Sequence, residues 1–205
     1  LTHFLGQFVR DCSQFAVHSS ARLFSTVLRT ELGGLTELLA DPDGAIATGQ
    51  MLKNGNTCTV ARVDTGGQAR VIKRYNLKNR LHAMLEERVG PLRRRAYLIT
   101  EFCPGESLLN RLSPERPPDA DVATAIVDLF QMLARLRISH GDTKATNFIW
   151  REGRLALIDL DAMHQHTSSS AFARHWRRDR RRFLRNWPES SVLHRWLDEH
   201  LPEAR

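Results

Sequence analysis

Apolar residues recur at helical spacing through residues 1–40 of the chain. A first set recurs at intervals of three and four residues, and a second set follows before the Gly33-Gly34 pair. The first set comprises Phe4, Leu5, Phe8, Val9, Cys12, Phe15 and Ala16, and the second comprises Leu23, Phe24, Val27 and Leu28. This period is that of an amphipathic helix, and glycine commonly follows the end of a helix. The pattern predicts two helices in front of the main fold.

The pattern changes in residues 49–76, where β-branched runs replace the helical period. This stretch reads GQMLKNGNTCTVARVDTGGQARVIKRYN, with Asn54-Gly55 and Gly66-Gly67 between its apolar runs. Short runs separated by Asn-Gly or Gly-Gly are typical of strands joined by hairpin turns. Two further strands are predicted at 84–90 and 95–102, with sequences MLEERVG and RAYLITEF.

Helical spacing returns at residues 119–138 and continues, except around 140–161, to the end of the chain. A block of strands followed by a block of helices predicts a two-lobed α+β domain. We therefore divide the chain into an N-terminal helical extension over 1–45, a strand-rich N-lobe over 46–102 and a helical C-lobe over 103–205. The C-lobe ends in basic helices.

Composition narrows the class of protein without naming a function. The 205 residues are 41% hydrophobic and carry a net charge of +7, which favours acidic or phosphate-bearing partners. Cys12, Cys58 and Cys103 lack any metal-binding spacing, so a reducing cytoplasm is expected. No run approaches the roughly 18 apolar residues of a membrane span, and Arg10 and Asp11 interrupt the apolar start. We expect a protein that neither crosses a membrane nor is exported.

Chemistry is concentrated in residues 140–161. HGDTKATNF at 140–148 places Asp142, Lys144 and Asn147 close together, and LALIDLD at 155–161 places Asp159 at the end of a strand-like run. Two carboxylates and an amide can hold a divalent cation through oxygen atoms, and Mg²⁺ is the natural candidate. A metal held by few protein oxygens keeps positions for substrate phosphates, while the remaining aspartate accepts a proton from an attacking hydroxyl. The alternative interpretation is an aspartate-capped turn between a helix and a strand.

These residues resemble the protein-kinase signature H-x-D-x-K-x-x-N, with Asp159 at the position of the DFG aspartate. The resemblance implies that Asp142 is the catalytic base and that Lys144 neutralises charge on the transferred phosphoryl group. It implies that Asn147 and Asp159 hold the metal. A kinase also needs a lysine on its third strand, and Lys73 occurs there in a V-I-K context.

The residues of the expected ATP site match the kinase pattern only in part. Asn54, Gly55 and Asn56 stand in place of the glycine-rich loop that covers the nucleotide phosphates, but Lys53 and Cys58 replace its outer glycines. A plain hairpin turn is the alternative there. The kinase resemblance further implies that Val60 packs on adenine, that Thr100 is the gatekeeper, and that the hinge runs from Glu101 to Cys103.

Five segments together resemble the bacterial lipopolysaccharide kinase family, which includes the Kdo and core-heptose kinases. They are NGNTCTVARV, VIKRYN, ITEFCPGESL, ISHGDTKATNF and LALIDLDAM, and the resemblance spans about residues 52–161. Asp-Leu-Asp replaces Asp-Phe-Gly, and Gly141 replaces the arginine that reads a phosphorylated activation loop, so a non-protein substrate and constitutive activity are favoured.

The family resemblance implies a protein-kinase-like α+β fold with an antiparallel-sheet N-lobe and a mainly helical C-lobe. It implies a transferase that uses ATP and Mg²⁺ to phosphorylate a Kdo or heptose hydroxyl of the lipopolysaccharide core. The expected location is cytoplasmic, with peripheral attachment to the inner face of the inner membrane left open. Two alternatives remain: a catalytically silent kinase-like binding or regulatory module, and, less favoured, a protein Ser/Thr kinase.

Residues 171–187 combine an aromatic stripe with seven arginines, in the sequence AFARHWRRDRRRFLRNW. Phe172, Trp176, Phe183 and Trp187 fall on one side of a predicted helix. The helix either lies on anionic lipid or a phosphorylated glycolipid, or packs its stripe on the C-lobe with solvated arginines. Nucleic acid is disfavoured because no binding module accompanies the charge. Nothing in the sequence indicates an oligomeric state.

The helix that a kinase is expected to have after the strand of Lys73 does not fit into the sequence. Only residues 76–83 separate the strand of Lys73 from the next predicted strand. A helix with its two connections needs roughly 15–25 residues. We expect a chain break near 82–84, where the helix with the glutamate partner of Lys73 would have been left out; true loss of the helix is the alternative.

Overall fold

A computed structural model describes residues 15–19, 24–28, 32–76 and 96–203. The chain divides into two compact units, Leu1–Phe102 and Cys103–Arg205. The predicted α+β class is confirmed, since the first unit is built on a four-stranded antiparallel sheet and the second is mainly helical.

The N-terminal part of the first unit differs from the sequence prediction. Phe15–Ser19 (β1) and Phe24–Leu28 (β2) form an antiparallel hairpin. The helices predicted over these residues are therefore wrong. Val17, Thr26 and Val27 are β-branched and favour strands, and their apolar neighbours fit either period over so short a run. Residues 1–14 lie outside the described part of the chain.

The main sheet of the first unit has the order β3-β4-β5-β6. Its strands are Gln50–Asn54 (β3), Cys58–Thr65 (β4), Gln68–Tyr75 (β5) and Ala96–Glu101 (β6). This confirms the strands predicted within 49–76 and 95–102. Gly66 and Gly67 have φ of 59° and 76°, the conformation that a tight hairpin turn requires and glycine tolerates. The strand predicted at 84–90 lies outside the described residues.

Two short helices cover one face of this sheet, Leu32–Ala40 (α1) and Pro42–Thr48 (α2). Asp41 caps α2 by accepting a hydrogen bond from Gly44 N at 2.9 Å, and Pro42 occupies its first turn. The helices contribute Leu35, Leu38 and Ile46 to a core, and the sheet contributes Ala61, Val63 and Ile72. The opposite sheet face is not packed by α1 or α2.

The second unit places short strands among four helices. The helices are Leu108–Arg111 (α3), Ala120–Arg135 (α4), Ser169–Leu184 (α5) and Val192–His200 (α6). The strands are Glu106–Ser107 (β7), Ile138–Ser139 (β8), Phe148–Arg151 (β9), Arg154–Leu157 (β10) and His164–Gln165 (β11). Strands β10, β9 and β7 form one small sheet, and β11 pairs with β8. Helix α4 confirms the helix predicted after residue 119.

Aromatic side chains fill the core of the second unit. The Phe183 ring centroid lies 4.9 Å from that of Phe130 and 4.8 Å from that of Phe148. Trp176 and Trp187 are also buried. Since each buried aromatic ring removes a large apolar area from water, this cluster is the main stabilising feature of the unit. Within the described residues no helix is both long and apolar enough to cross a bilayer.

Candidate active site

The loop from His140 to Asn147 is held by the buried carboxylate of Asp179 on α5. Asp179 Oδ2 accepts a hydrogen bond from His140 N at 2.6 Å, and Gly141 N donates to both carboxylate oxygens at 3.0 and 3.1 Å. Thr143 Oγ1 donates to the Asp179 carbonyl at 2.6 Å. Asp179 is only 3% exposed, so these backbone donors replace the water that its charge would otherwise require.

Asn186, just beyond the end of α5, holds the next part of the same loop. Its Oδ1 accepts from Ala145 N at 3.0 Å, and its Nδ2 donates to the Thr143 carbonyl at 3.3 Å. Positions 179, 182 and 186 are spaced by three and four residues and therefore share one side of the helix. One side of α5 thus sets the backbone path of residues 140–145.

Gly141 and His140 join the loop to the segment after β10. Gly141 has φ of 83°, and a Cβ there would lie 2.7 Å from Ala162 Cβ and 2.9 Å from the Ala162 carbonyl oxygen. His140 Nε2 lies 3.1 Å from the Ile158 carbonyl, and its Nδ1 accepts from Asp142 N at 3.2 Å. These bonds fit an imidazole that carries its proton on Nε2. Glycine at 141 is therefore required by both conformation and space.

The carboxylate of Asp142 contacts two cationic side chains. Arg182 Nη1 lies 2.7 Å from Oδ1, and Lys144 Nζ lies 3.0 Å from Oδ2. The Asp142 side chain is 22% exposed, which leaves it partly open to solvent. The structure thus brings Asp142 and Lys144 together as the motif predicts, and adds Arg182 from α5.

Asn147 and Asp159 are brought close by the backbone. Asn147 is 8% exposed, and its Nδ2 donates to the Asp142 carbonyl at 2.9 Å. Ile158 N donates to the Asn147 carbonyl at 3.0 Å, so Asp159 follows directly after a residue bonded to Asn147. Asp159 is exposed and takes a left-handed conformation with φ of 59° and ψ of 55°. This conformation is uncommon for a non-glycine residue, although aspartate is among the residues that adopt it most readily.

These residues fit a magnesium ion held with substrate phosphates. The bond from Asn147 Nδ2 to the Asp142 carbonyl leaves Asn147 Oδ1 as the amide oxygen that a cation could use, and the backbone bond from Ile158 to Asn147 keeps the two chain segments together. In the described ranges no three His, Cys, Asp or Glu side chains are grouped as a metal site. Magnesium needs no such group, because it commonly uses one or two carboxylates plus phosphate oxygens and water.

Three of the predicted nucleotide residues of the first unit, Val60, Lys73 and Thr100, share one sheet face. Lys73 is paired with Val60 on one side and Leu98 on the other, and Val71 is paired with Thr100. Since side chains alternate along a strand, these residues lie opposite the face packed by α1 and α2. Lys73 Nζ lies 5.2 Å from the Tyr75 ring centroid. Val60, Lys73 and Thr100 therefore occupy the sheet face that an adenine nucleotide would need.

Asn54 ends β3, and Gly55 and Asn56 lie in the turn that leads to β4. Gly55 N donates to the Cys58 carbonyl at 3.1 Å, and Asn76 Nδ2 donates to the Gly55 carbonyl at 2.8 Å. Glu101 ends β6 and is exposed, and Cys103 is partly buried. The nucleotide roles of these residues stay predictions, as does the convergence of Lys73 with Asn147 and Asp159. The missing helix and the break expected near 82–84 lie outside the described residues.

The aromatic stripe of α5 packs inward. Phe172, Trp176, Phe183 and Trp187 are at most 5% exposed, which favours the packing interpretation of this stripe. On the opposite side of the helix, four exposed arginines form what we call the arginine ridge: Arg174, Arg178, Arg181 and Arg185. Their spacing of four, three and four residues keeps them on one narrow line. Inward packing therefore does not exclude a contact made by the outer side.

The sequence motifs did not identify the supports of the loop. Asp179, Arg182 and Asn186 lie within residues 171–187, which were interpreted for their aromatic stripe and their positive charge. One signal was available, because Asp179 stands three residues after Trp176 and four before Phe183, on the buried side of the helix. An acidic residue at such a position is expected to bind backbone donors or a cation.

Comparison with known proteins adds a structural neighbour. The structure is similar to that of WaaP in complex with acyl carrier protein, with a TM-score of 0.44 and 20% identity over 72% of this chain and 82% of that chain. No family model and no curated protein matches the chain. At this level of similarity we assign neither a family nor a substrate nor an activity from the neighbour.

Proposed function

We propose that this protein is an ATP-dependent kinase that phosphorylates a sugar hydroxyl, of Kdo or heptose, in the lipopolysaccharide core. The observation that supports it most is the loop at 140–147. There, the Asp142 carboxylate lies beside Lys144 and Arg182, and its backbone carbonyl is bonded to Asn147. A carboxylate base, nearby cations and oxygen ligands are the groups that phosphoryl transfer needs.

Each side chain has a separate role in this proposal. Asp142 accepts the proton of the acceptor hydroxyl, and Lys144 offsets charge on the phosphoryl group. Asn147 and Asp159 supply the oxygen ligands for Mg²⁺, and the bound Mg·ATP supplies the phosphoryl group in a form whose negative charge is partly neutralised. Catalysis then consists largely of positioning and electrostatic stabilisation by these residues.

All but one of the proposed nucleotide-binding residues belong to the first unit, and Cys103 is the first residue of the second unit. Lys73 pairs with the phosphates, Val60 packs on adenine, and Asn54 to Asn56 cover the phosphates. Thr100, Glu101 and Cys103 line the adenine edge. The sheet face that carries Val60, Lys73 and Thr100 supports this assignment, because it places an apolar side chain beside a lysine.

The protein acts, in this proposal, in the cytoplasm at the inner face of the inner membrane, where its glycolipid acceptor is held. The arginine ridge is the surface proposed to contact anionic lipid. None of its four side chains forms an ion pair or side-chain hydrogen bond within the described residues. Basic residues near an anionic membrane contribute about 1 kcal/mol each, so four on one line are a substantial attraction.

A catalytically silent binding module is the second candidate. Two observations favour it: the turn at Asn54–Asn56 keeps only one glycine, and both Asp142 oxygens are already in cation contacts. Such a module would bind Mg·ATP or the lipopolysaccharide without phosphorylating it. Turnover therefore separates the two candidates, whereas binding alone does not.

The test compares two carboxylate replacements that should fail in different ways. Asp142→Asn should leave Mg·ATP binding nearly intact while kcat falls by roughly 10²–10⁴-fold, because the hydroxyl proton loses its acceptor. Asp159→Asn should weaken Mg·ATP binding, because an amide oxygen has no formal charge to offset the metal. Calorimetric titration with Mg·ATP and transfer of labelled phosphate to lipopolysaccharide from cells lacking the protein measure the two effects.

Asp128→Asn is the matched control, since Asp128 is an exposed carboxylate on α4. This variant should bind and turn over Mg·ATP like the unmodified protein. Nearly full turnover by Asp142→Asn with normal binding would contradict the assignment of the loop, and binding without turnover by the unmodified protein would favour the silent module.

A further inference from the structure

The two cations that contact Asp142 are held very differently. Arg182 extends from α5, outside the loop, and its Nη1 donates both to Asp142 Oδ1 at 2.7 Å and to the Gly141 carbonyl at 3.1 Å. Lys144 is part of the loop and contacts only Oδ2 at 3.0 Å, and its side chain is 56% exposed, against 40% for the Arg182 side chain. Arg182 therefore has two contacts from a helix, whereas Lys144 has one solvent-exposed contact.

The exposed contact is the one that can be broken at little cost. Solvent-exposed lysine–carboxylate pairs typically contribute about 0–1 kcal/mol, and the lysine side chain has a long flexible stem. Arg182 stands between Asp179 and Asn186, which bond the same loop from the same side of α5. A base needs one oxygen open to its proton donor, so the oxygen that Lys144 contacts is the one available.

We propose that Arg182 is the positioning residue of Asp142. By holding Oδ1, it presents Oδ2 to the acceptor hydroxyl once Lys144 has turned toward the phosphoryl group. The hydroxyl proton then moves to Oδ2 as the acceptor oxygen forms its bond to the γ-phosphorus. The bond from that phosphorus to the bridging oxygen breaks, and its electron pair leaves on ADP. This inference rests on the proposed kinase function. It assigns proton acceptance to Oδ2 of Asp142 in particular, whereas the motif alone does not distinguish the two carboxylate oxygens.

Removal of the guanidinium should affect turnover and not nucleotide binding. In Arg182→Met, kcat for phosphate transfer to lipopolysaccharide should fall by roughly 10–100-fold, the scale expected when a reacting group is misplaced by about 1 Å. KM for ATP should stay within about twofold, because Arg182 contacts the base and the loop backbone. Arg182→Lys should keep part of the activity, and added guanidinium ion should restore several-fold activity to Arg182→Met. Arg195→Met removes an exposed arginine of α6 and serves as the control.

A double-mutant cycle separates positioning from general support of the fold. In the Asp142→Asn background, Arg182→Met should change kcat little, because the base that it orients is already absent. An equal loss of kcat in both backgrounds, or no loss in either, would overturn the inference. If Arg182→Met does not fold, as judged by circular dichroism, the same cycle with Arg182→Lys decides the question.

The outcomes also distinguish this inference from the proposed function. Absence of transfer by the unmodified protein would refute the kinase assignment itself. Transfer that is abolished by Asp142→Asn but is unchanged by Arg182→Met would leave the kinase assignment intact and refute the role of Arg182.

Discussion

His166 is buried beside Ser139, whose hydroxyl oxygen lies 2.7 Å from His166 Nε2. Burial lowers the pKa of His166 below its usual 6.5, and the neighbouring His164 and His175 lower this pKa further. Asp179 opposes the shift. The ring centroids of His164 and His175 lie 4.7 and 4.8 Å from that of His166, so a proton on His166 would face two more titratable rings. The folded chain therefore favours neutral His166.

This lowered pKa predicts a loss of stability in mild acid. The unfolded chain binds the His166 proton first as pH falls below about 6.5, so the free energy of unfolding should decrease until the folded chain also protonates His166. Urea unfolding at pH 7.5 and 5.5 measures the change. His166→Gln should reduce the pH dependence, whereas His200→Gln, at an exposed position on α6, should not. Identical pH dependence in the His166 variant would exclude this residue as the cause.

At the scale of elements, α5 has three sides with different tasks. Its inner side packs Phe172, Trp176 and Phe183 into the core. A second side, which overlaps the inner side at the buried Asp179, places Asp179 and Arg182 against the loop, with Asn186 following, and the outer side carries the arginine ridge. The period of 3.6 residues lets one helix serve all three at once. Stability of the unit and geometry of the loop are therefore set by the same helix.

Asp179→Asn should weaken both the fold and the loop. Asparagine keeps one acceptor oxygen but places an NH₂ group against the amide donors of His140 and Gly141, and it removes the negative charge. The free energy of unfolding should fall by about 2 kcal/mol, the scale of hydrogen bonds to charged groups, and kcat should fall with it. Urea unfolding and phosphate transfer measure these effects.

Asp198→Asn is the matched control for this variant. Asp198 lies on α6 and pairs with Arg180 of α5, with 2.7 Å between Arg180 Nη1 and Asp198 Oδ1. The Asp198 side chain is 53% exposed. The control should change stability by less than about 1 kcal/mol. Unfolding midpoints that are equal in the two variants would show that α5 does not hold the loop through Asp179.

At the scale of the whole molecule, the net charge of +7 is concentrated in part on the arginine ridge. A general positive charge attracts any anionic surface, while a ridge concentrates the attraction along one helix. The aromatic side chains of α5 are buried on its other side. The ridge would therefore bind a membrane by its charge alone, with no aromatic side chain inserted into the lipid. Binding through it should therefore depend strongly on salt.

Replacement of the four ridge arginines by glutamine should weaken binding to phosphatidylglycerol-containing vesicles by at least about tenfold at 0.1 M salt. Co-sedimentation with these vesicles, and with neutral phosphatidylcholine vesicles, measures the effect. The matched control replaces Arg135, Arg151, Arg154 and Arg195, all exposed in the same unit, and removes the same charge. Equal weakening by both sets would mean that net charge, and not the ridge, attracts the membrane.

Local patterns predicted much of this protein, because they depend on neighbours along the chain. The strands at 50–54, 58–65, 68–75 and 96–101 follow from β-branched runs and from the turns at Asn54-Gly55 and Gly66-Gly67. Helix α4 follows from its apolar period. The spacing of Asp142, Lys144 and Asn147 placed the candidate chemistry in one loop, since these residues are close in sequence.

Other features were decided by contacts between residues far apart in sequence. Residues 15–19 and 24–28 form a hairpin where helices were predicted. A short apolar run fits both the helical period and the strand period, and the pairing of the two strands selects the strand. Asp179 and Arg182 reach the loop across about forty positions, and no local pattern shows which arginine in a run of seven meets a carboxylate. The sequence by itself determined which residues can carry the chemistry. Only the tertiary structure decided which side chains hold Asp142 in place, because packing of α5 against the core fixes which of its sides meets the loop.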